Sequence, residues 1–324
     1  MGGKDPQFAR RKIGKFRKGG GGLKQRTKTS KPEKIRRDKR ERIDRAKTSL
    51  FIAPSFIGAA IFFILPFFVV GYYALIDNPI SREFVGLQNF VNLFGNSAFR
   101  TAARNTAAFS AVAVPLAVVL PLCFALLLLR RVPCGSLFKT VLISPLMVPT
   151  ASVVLIWQVL FHYNGTVNSF LERFGIDKID FFKSDYCLII IVLLFLWKNI
   201  GYNMILFMSA LAAIPVDITE ACMLDGAGPV RVFFKIKLPY ISSTVCFVTI
   251  LSLINSFKIF REVYLMTGRY PYERLYMLQH FMNNTFESLD YQKLSAAAIV
   301  MCAVMIVLIG ILFFVDNRVG RDIE

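Results

Sequence analysis

The sequence predicts an all-α integral membrane protein with six transmembrane helices. Of its 324 residues, 55% are hydrophobic, and apolar runs of about 20 residues, the length that crosses a bilayer, recur along the chain. Basic residues are concentrated in segments that a six-span arrangement puts on one side, as the positive-inside rule requires. Six spans place both termini on the same side, which we predict to be cytoplasmic.

The first element is a basic tail, residues 1–47. It carries 19 Lys and Arg against 5 Asp and Glu, and so accounts for most of the net charge of +18. With four consecutive glycines and few apolar residues, its first part is expected to be largely disordered. We interpret the tail as a topology signal that holds the amino terminus in the cytoplasm, beside anionic membrane lipid. Only Phe8 and Phe16 are available for base stacking, so no nucleic acid partner is expected.

The transmembrane domain is predicted to cover residues 48–316, followed by a short cytoplasmic carboxyl terminus at residues 317–324. Charge-free apolar runs predict five spans, and a further run interrupted by Lys198 predicts another. In chain order, the predicted spans are Thr48–Ile76, Asn105–Leu129, Thr140–Phe161, Tyr186–Ala210, Leu238–Phe257 and Leu294–Val315. The loop from Arg130 to Lys139 holds three basic residues and no acid, so it is predicted to be cytoplasmic.

A polar interlude, Glu220 to Pro239, lies between two apolar runs. Asp217 and Glu220 have the capping-box spacing, which predicts a short helix starting near Ile218. Gly226 is the residue type that ends a helix in the left-handed conformation, and Pro229 suits the first turn of the next one. We expect Pro239 to stop this second helix, and topology places the whole interlude in the cytoplasm.

The interlude reads E-A-C-x-x-D-G-A, then F-x-x-I-x-L-P after five variable positions. It resembles the EAA loop of bacterial ABC-importer permeases and departs from that pattern only at Cys222. The resemblance implies a coupling helix that docks in a cleft of the ATP-binding subunit. The residues that carry it are Glu220, Ala221, Asp225, Gly226, Ala227, Phe233, Ile236, Leu238 and Pro239.

The resemblance to carbohydrate-class permeases, such as those for maltose and glycerol phosphate, covers nearly everything after Thr48. FVGLQNFVNLF is similar to the segment after the first span of these permeases, and Asn105 with Thr106 to the N-T that opens the second. SPLMVPTASVVLIWQVLF, with Gly165 and Asn168 beyond it, resembles the third span and its exit. SFKIFREVYLMTG matches the end of the fifth span, although Gly268, Arg269, Tyr270 and Pro271 replace the usual G-G-P.

This resemblance implies a multi-pass permease of the bacterial cytoplasmic membrane that forms half of the path for a sugar or oligosaccharide. The implied partners are a second permease, two ATP-binding cassette subunits and an extracytoplasmic solute-binding protein. The chain has no GxxxxGK[ST], so ATP and Mg²⁺ are expected on the ATPase partner and no cofactor on this chain. It shows no pairing of nucleophile with base and no metal-ligand spacing, so we predict no catalytic or metal site.

Polar groups in the spans flanking the loop are candidates for the substrate path. A central charge costs roughly 2.5–3.5 kcal/mol on insertion scales, so such groups need a reason to be there. The resemblance to maltose-type permeases points to Tyr202, Ser252, Asn255 and Ser256; interhelical packing is the alternative for each of them. Trp157 is a weaker candidate, because tryptophan often marks the membrane interface. We interpret Lys258, Arg261 and Glu262 as a solvated cluster paired internally near the outer face.

Two other functional classes remain open. A free-standing secondary transporter or channel would use Lys198 as an ion or proton site, and would take up its solute without an ATPase. A membrane anchor would use the basic tail to recruit a cytosolic partner.

Overall fold

The structure, a computed structural model, describes residues 51–129 and 133–321. The predicted tail, the loop cations Arg130 and Arg131, and the last three residues of the predicted carboxyl terminus lie outside the described residues. The chain divides into two units, residues 1–63 and 64–324. The described part of the first unit is the start of an apolar helix, Phe51–Tyr73, which continues into the second unit; the other described elements belong to the second unit. There the elements are helical throughout the described ranges, apart from a single bridge between Ile76 and Phe84.

Five helices are long and apolar enough to cross a membrane, and a bent pair supplies a sixth candidate. The all-helical prediction is therefore confirmed, and among the described residues the six predicted spans correspond to five continuous helices and this bent pair. The continuous helices, called the first, second, fourth, fifth and sixth spans, are Phe51–Tyr73, Ser97–Leu128, Cys187–Ala212, Ser242–Thr267 and Tyr291–Arg321. The fifth is interrupted at Ile259, between the segments Ser242–Lys258 and Phe260–Thr267.

The third predicted span, Thr140–Phe161, is wrong as a single helix. Gly135–Met147 and the helical stretch that begins at Thr150 are bent by 104° at a break between them. Val148 is extended at the break because the following Pro149 disfavours a helical conformation for it. We call Gly135–Met147 and Thr150–Phe161 together the broken span.

Shorter helices connect the spans, and buried amides fix the connections. They are Gln88–Gly95, Thr166–Glu172, Leu278–Glu287 and the single turn Glu273–Leu275. The Asn105 side chain donates to the carbonyls of Glu273 and Tyr276 at 2.6 and 3.0 Å, and the Thr106 hydroxyl accepts the Leu278 N–H at 2.9 Å. The start of the second span thus holds the turn before Leu278–Glu287.

Two further asparagines have the same kind of role. Asn168 is fully buried and bonds through both side-chain atoms to the backbone of Ile179, at 2.8 and 3.0 Å. The Asn89 side chain donates to the carbonyls of Ala74 and Ile76 at 3.0 and 2.7 Å, which fixes the exit of the first span. Each amide satisfies backbone carbonyls that no regular helix would satisfy.

The core is centred on the second and fourth spans. Buried alanines of the second span, including Ala113 and Ala117, let the two helices approach closely. Phe109 and Phe195 meet edge to face with ring centroids 5.5 Å apart. The Asn203 amide donates to the Ala117 carbonyl at 2.8 Å and to the Ser252 hydroxyl at 3.1 Å, and so joins the second, fourth and fifth spans.

The fourth span also approaches the broken span closely at Gly201. A methyl group on Gly201 would lie 2.1 Å from the carbonyl oxygen of Leu142 and 2.9 Å from the Cα of Ile143. Both are backbone atoms, which cannot move aside as a flexible side chain would. Only glycine permits this helix contact.

Replacing Gly201 with alanine is therefore expected to separate the two helices and to destabilise the protein by roughly 1–3 kcal/mol, the usual cost of overpacking. The measurement is the thermal midpoint of the purified protein in detergent. Gly310→Ala is the matched control, because nothing lies within 4 Å of the added methyl group in the sixth span. Equal midpoints for the two variants would show that the close contact contributes nothing to stability.

Candidate functional site

The EAA loop, residues 216–241, begins with the helix Val216–Leu224 and then turns sharply. Gly226 has φ +80°, the left-handed conformation expected for it. Its N–H donates to the Met223 carbonyl, and the Ala227 N–H donates to the Cys222 carbonyl, both at 3.0 Å. This pair of bonds is a Schellman motif, which satisfies the last carbonyls of the helix and fixes the bend.

The predicted capping box at the start of this helix is wrong. Pro215 is the N-cap residue, so Asp217 already lies in the first turn, and no side-chain cap bond forms. The cause is the proline, whose restricted φ ends the preceding segment two residues before the expected start. Asp217 and Glu220 remain near the helix N-terminus, where the helix dipole favours negative charge.

The expectation that Pro239 ends the second arm is also wrong. Pro229 opens the arm as predicted, but helical structure continues through Pro229–Val232, a π-helical segment Phe233–Lys237, and Leu238–Tyr240. The arm ends at Ile241 instead. In the π-helical segment the backbone hydrogen bonds join residues five apart instead of four. Pro239, which has no N–H to donate, therefore fits into the first turn after this segment.

The loop is anchored through its second arm. Val232 and Ile241 are buried there, whereas the helix Val216–Leu224 has no buried residue. Leu224 is 89% exposed, and Met223 and Val230 are also exposed. Of the predicted coupling residues, those exposed are Glu220, Ala221, Asp225 and Gly226, and those partly buried are Ala227 and Pro239. A short helix flanked by exposed apolar side chains is a surface suited to a partner.

A polar cleft of about 510 Å³ lies between the fourth span, the fifth span and the break in the broken span. Its lining combines three cations, one carboxylate and three amides. The lining residues are Leu146, Thr150, Phe195, Lys198, Asn199, Asn255, Lys258, Ile259, Arg261, Glu262 and Gln279.

An ion pair crosses this cleft. The Lys198 ammonium of the fourth span pairs with the Glu262 carboxylate of the fifth, and it lies 3.4 Å from the Thr150 hydroxyl. Glu262 is buried, so its predicted place in a solvated cluster is wrong: its carboxylate pairs with Lys198 of the fourth span instead. Lys258 and Arg261 are exposed to the cleft, and among the described residues neither forms an ion pair.

The structure brings only one of the four predicted path residues to the cleft. Asn255 lines it and donates to the Asn199 side chain at 3.1 Å. Ser252 and Ser256 are buried between helices: Ser252 accepts from Asn203, and Ser256 bonds to Ser110 at 2.9 Å.

Tyr202 and Trp157 lie away from the cleft. Tyr202 is 41% exposed and is not part of the lining. Trp157 stacks on Phe161 with ring centroids 5.1 Å apart, in a cluster that also includes Trp197.

Sequence reasoning missed the site formed by Lys198 and Glu262. The two residues are 64 positions apart, and nothing local to either one indicates the other. A usable signal was present, however, because an isolated lysine inside an apolar span needs a counter-charge and Glu262 was an acid within reach of the neighbouring span.

The sequence and the fold were compared with known proteins. A family described as "Binding-protein-dependent transport system inner membrane component" matches residues 133–323. The sn-glycerol-3-phosphate transport system permease protein UgpA of Escherichia coli (strain UTI89 / UPEC) is 32% identical over 277 residues, which are 83% of this chain and 94% of the relative. The protein of the same name from Salmonella choleraesuis (strain SC-B67) is 31% identical over the same coverage.

Two solved structures share the fold. One is of a bacterial ABC transporter involved in the import of the acidic polysaccharide alginate, with a TM-score of 0.75 and 21% identity, covering 87% of this chain and 99% of that one. The other is of a bacterial alginate ABC transporter in complex with an alginate pentasaccharide-bound periplasmic protein, with a TM-score of 0.74 and 20% identity, covering 89% and 97%.

Removing one member of the ion pair should cost more than removing both. Lys198→Met leaves the Glu262 carboxylate buried without its counter-charge, and we expect a loss on the order of 3 kcal/mol in stability. The double variant Lys198→Met, Glu262→Met removes both charges at similar volume and should recover most of that loss. Thermal unfolding of the single and double variants in detergent gives the coupling energy. Additive losses would mean that the two groups do not interact.

Proposed function

Because the chain belongs to the family of binding-protein-dependent transport system inner membrane components, we propose that it forms half of the translocation path for a sugar or oligosaccharide. It is a multi-pass membrane protein and itself no enzyme. The proposed location is the bacterial cytoplasmic membrane, and the proposed partners are a second permease, two ATP-binding cassette subunits and an external solute-binding protein. ATP and Mg²⁺ would be bound by the ATPase subunits.

The exposed EAA loop is the observation that carries this proposal. Its helix leaves Met223 and Leu224 exposed, while the Schellman motif and Val232 hold its shape. A preformed, rigid apolar element binds a partner without an ordering cost. We therefore assign Val216–Leu224 as the element that docks on the ATPase, and the bend at Gly226 as the feature that fixes its angle.

Coupling would follow from the covalent connections of the loop. Three residues separate its helix from the fourth span, and its second arm ends at Ile241, next to the first residue of the fifth. Because these connections are short, a movement of the docked helix would be transmitted directly to both spans. Closure of the ATPases would shift these spans between inward-facing and outward-facing arrangements.

The polar cleft is the proposed place where the solute passes. Both flanking spans contribute to its wall, and amides such as Asn199 and Asn255 match the donors and acceptors of sugar hydroxyls. Ser252 and Ser256 have their hydrogen bonds within the protein, so we assign them to packing. Asn255 is retained as a substrate-path residue.

Replacing Gly226 with valine tests the bend. A β-branched residue at φ +80° is strained by roughly 1–3 kcal/mol, so the helix end should unwind and the angle of the docked helix should change. In proteoliposomes containing the complete importer, we expect ATP hydrolysis without solute uptake. Gly228→Val is the control, because its φ of −66° and the following Pro229 suit valine. Normal uptake by Gly226→Val would contradict the assignment, and uptake in the absence of any ATPase would favour a secondary transporter.

Replacing Leu224 with aspartate tests the docking surface. A charge in the apolar centre of the contact should reduce co-purification of the ATPase with this chain by about tenfold or more, because an unpaired charge is desolvated on binding. Ile80→Asp is the matched control: Ile80 is 94% exposed and lies in a different loop. If the two variants retained the ATPase equally, the contact would lie elsewhere.

A further inference from the structure

The polar cleft carries more positively charged than negatively charged side chains. Lys198, Lys258 and Arg261 supply three cations, and Glu262 supplies the one carboxylate. Glu262 is engaged by Lys198, so the charges of Lys258 and Arg261 are uncompensated within the described residues. Neither an ammonium nor a guanidinium can accept a hydrogen bond, so Lys258 and Arg261 offer only donors.

The neighbouring histidine does not change this balance. His280 is fully buried behind Gln279, packs edge to face on Phe260 with ring centroids 4.6 Å apart, and accepts the Met277 N–H on Nδ1. Burial lowers the pKa of His280 to about 4, so the ring is neutral at physiological pH. The excess positive charge comes from Lys258 and Arg261 alone.

Lys258 and Arg261 are exposed on the wall of the cleft, and no carboxylate of the described residues pairs with either of them. A neutral sugar would require only amides and hydroxyls, which Asn199, Asn255 and Gln279 already provide. A neutral sugar therefore does not explain why the cleft also carries the positive charges of Lys258 and Arg261. An anionic group explains them, because carboxylate and phosphate oxygens only accept hydrogen bonds and form short, strong ones with lysine and arginine.

We propose that the polar cleft binds a hydroxylated solute through an anionic group, a carboxylate or a phosphate. This inference rests on the proposed function and names the substrate class of the same cleft. Arg261 and Lys258 hold the anionic oxygens, the guanidinium through two parallel N–H groups. Asn199, Asn255 and Gln279 face the hydroxyls. Glu262 neutralises Lys198 and leaves the other two cations for the solute.

The test measures protection of a cysteine placed in the cleft. Asn255→Cys is introduced into the complete importer in detergent and is labelled with a small thiol reagent, with the six native cysteines of the unsubstituted chain as background. The probes are glucose 6-phosphate and digalacturonate, compared with glucose and maltose. We expect the anionic probes, and not the neutral ones, to slow labelling. The phosphate and carboxylate arms show which anion the cleft prefers.

Variants of the two cations make the test specific. Arg261→Gln or Lys258→Gln should raise the anion concentration needed for protection by about tenfold or more, as expected for the loss of one charge-assisted hydrogen bond. Lys183→Gln, which removes an exposed loop cation outside the cleft, should leave protection unchanged.

Protection by neutral sugars to the same extent, or by no anionic probe, would overturn the proposal. So would loss of the second permease on purification of Arg261→Gln, because the cations would then serve an acid of that subunit. ATP-driven uptake by the unsubstituted importer is measured after the same preparation has been reconstituted into proteoliposomes. If ATP-driven uptake is observed, the proposed function stands even where the anion proposal fails. If no ATP-driven uptake is observed, the proposed function itself is contradicted.

Discussion

Polar groups at membrane depth must find their partners within the protein, and this constraint explains most of the architecture. The Asn203 amide joins three spans, Ser110 and Ser256 bond across the helix contact, and Lys198 is paired with Glu262. With no water available in the hydrocarbon region, each unsatisfied group would cost several kcal/mol. The helices can therefore pack in few registers, and the registers that pair these groups are the ones observed.

The same constraint gives a structural meaning to three asparagines that carry the family resemblance, of which Asn105 lies in the second span and the other two lie outside the spans. Asn89, Asn105 and Asn168 donate to backbone carbonyls at the exit of the first span, at the turn before Leu278–Glu287, and in the loop after the broken span. Their amides replace regular helical bonds where the chain changes direction. A resemblance built on such residues therefore reports the fold, and the substrate must be read from the cleft.

The spans were predictable because hydrophobic length and charge are local properties. The bend at Gly226 was predictable for the same reason: glycine is the residue type that reaches φ +80° without strain. The break at Val148 and Pro149 had a local signal in the proline, but the surrounding run is as apolar as a continuous span. The burial of Ser252 had no local signal. The charge of Lys198 indicated that a counter-charge was needed but not which acid supplies it, because both outcomes depend on how distant helices rotate against each other. Helical spacing put Ser252, Asn255 and Ser256 on one face, and only packing divided that face between core and cleft.

The loop and the cleft are linked by the way the fourth and fifth spans are fixed to each other. The Asn203 side chain of the fourth span donates a hydrogen bond to Ser252 of the fifth. The Lys198–Glu262 ion pair joins the same two helices closer to the interruption at Ile259. Two polar attachments on one pair of helices resist relative sliding, so under the proposed coupling the pair would move as one body when its connecting loop is displaced. The backbone contact at Gly201 would then transmit that movement to the broken span, which also lines the cleft through Thr150. A cleft bounded by one fixed pair of helices and one bent neighbour would change shape chiefly at the bend.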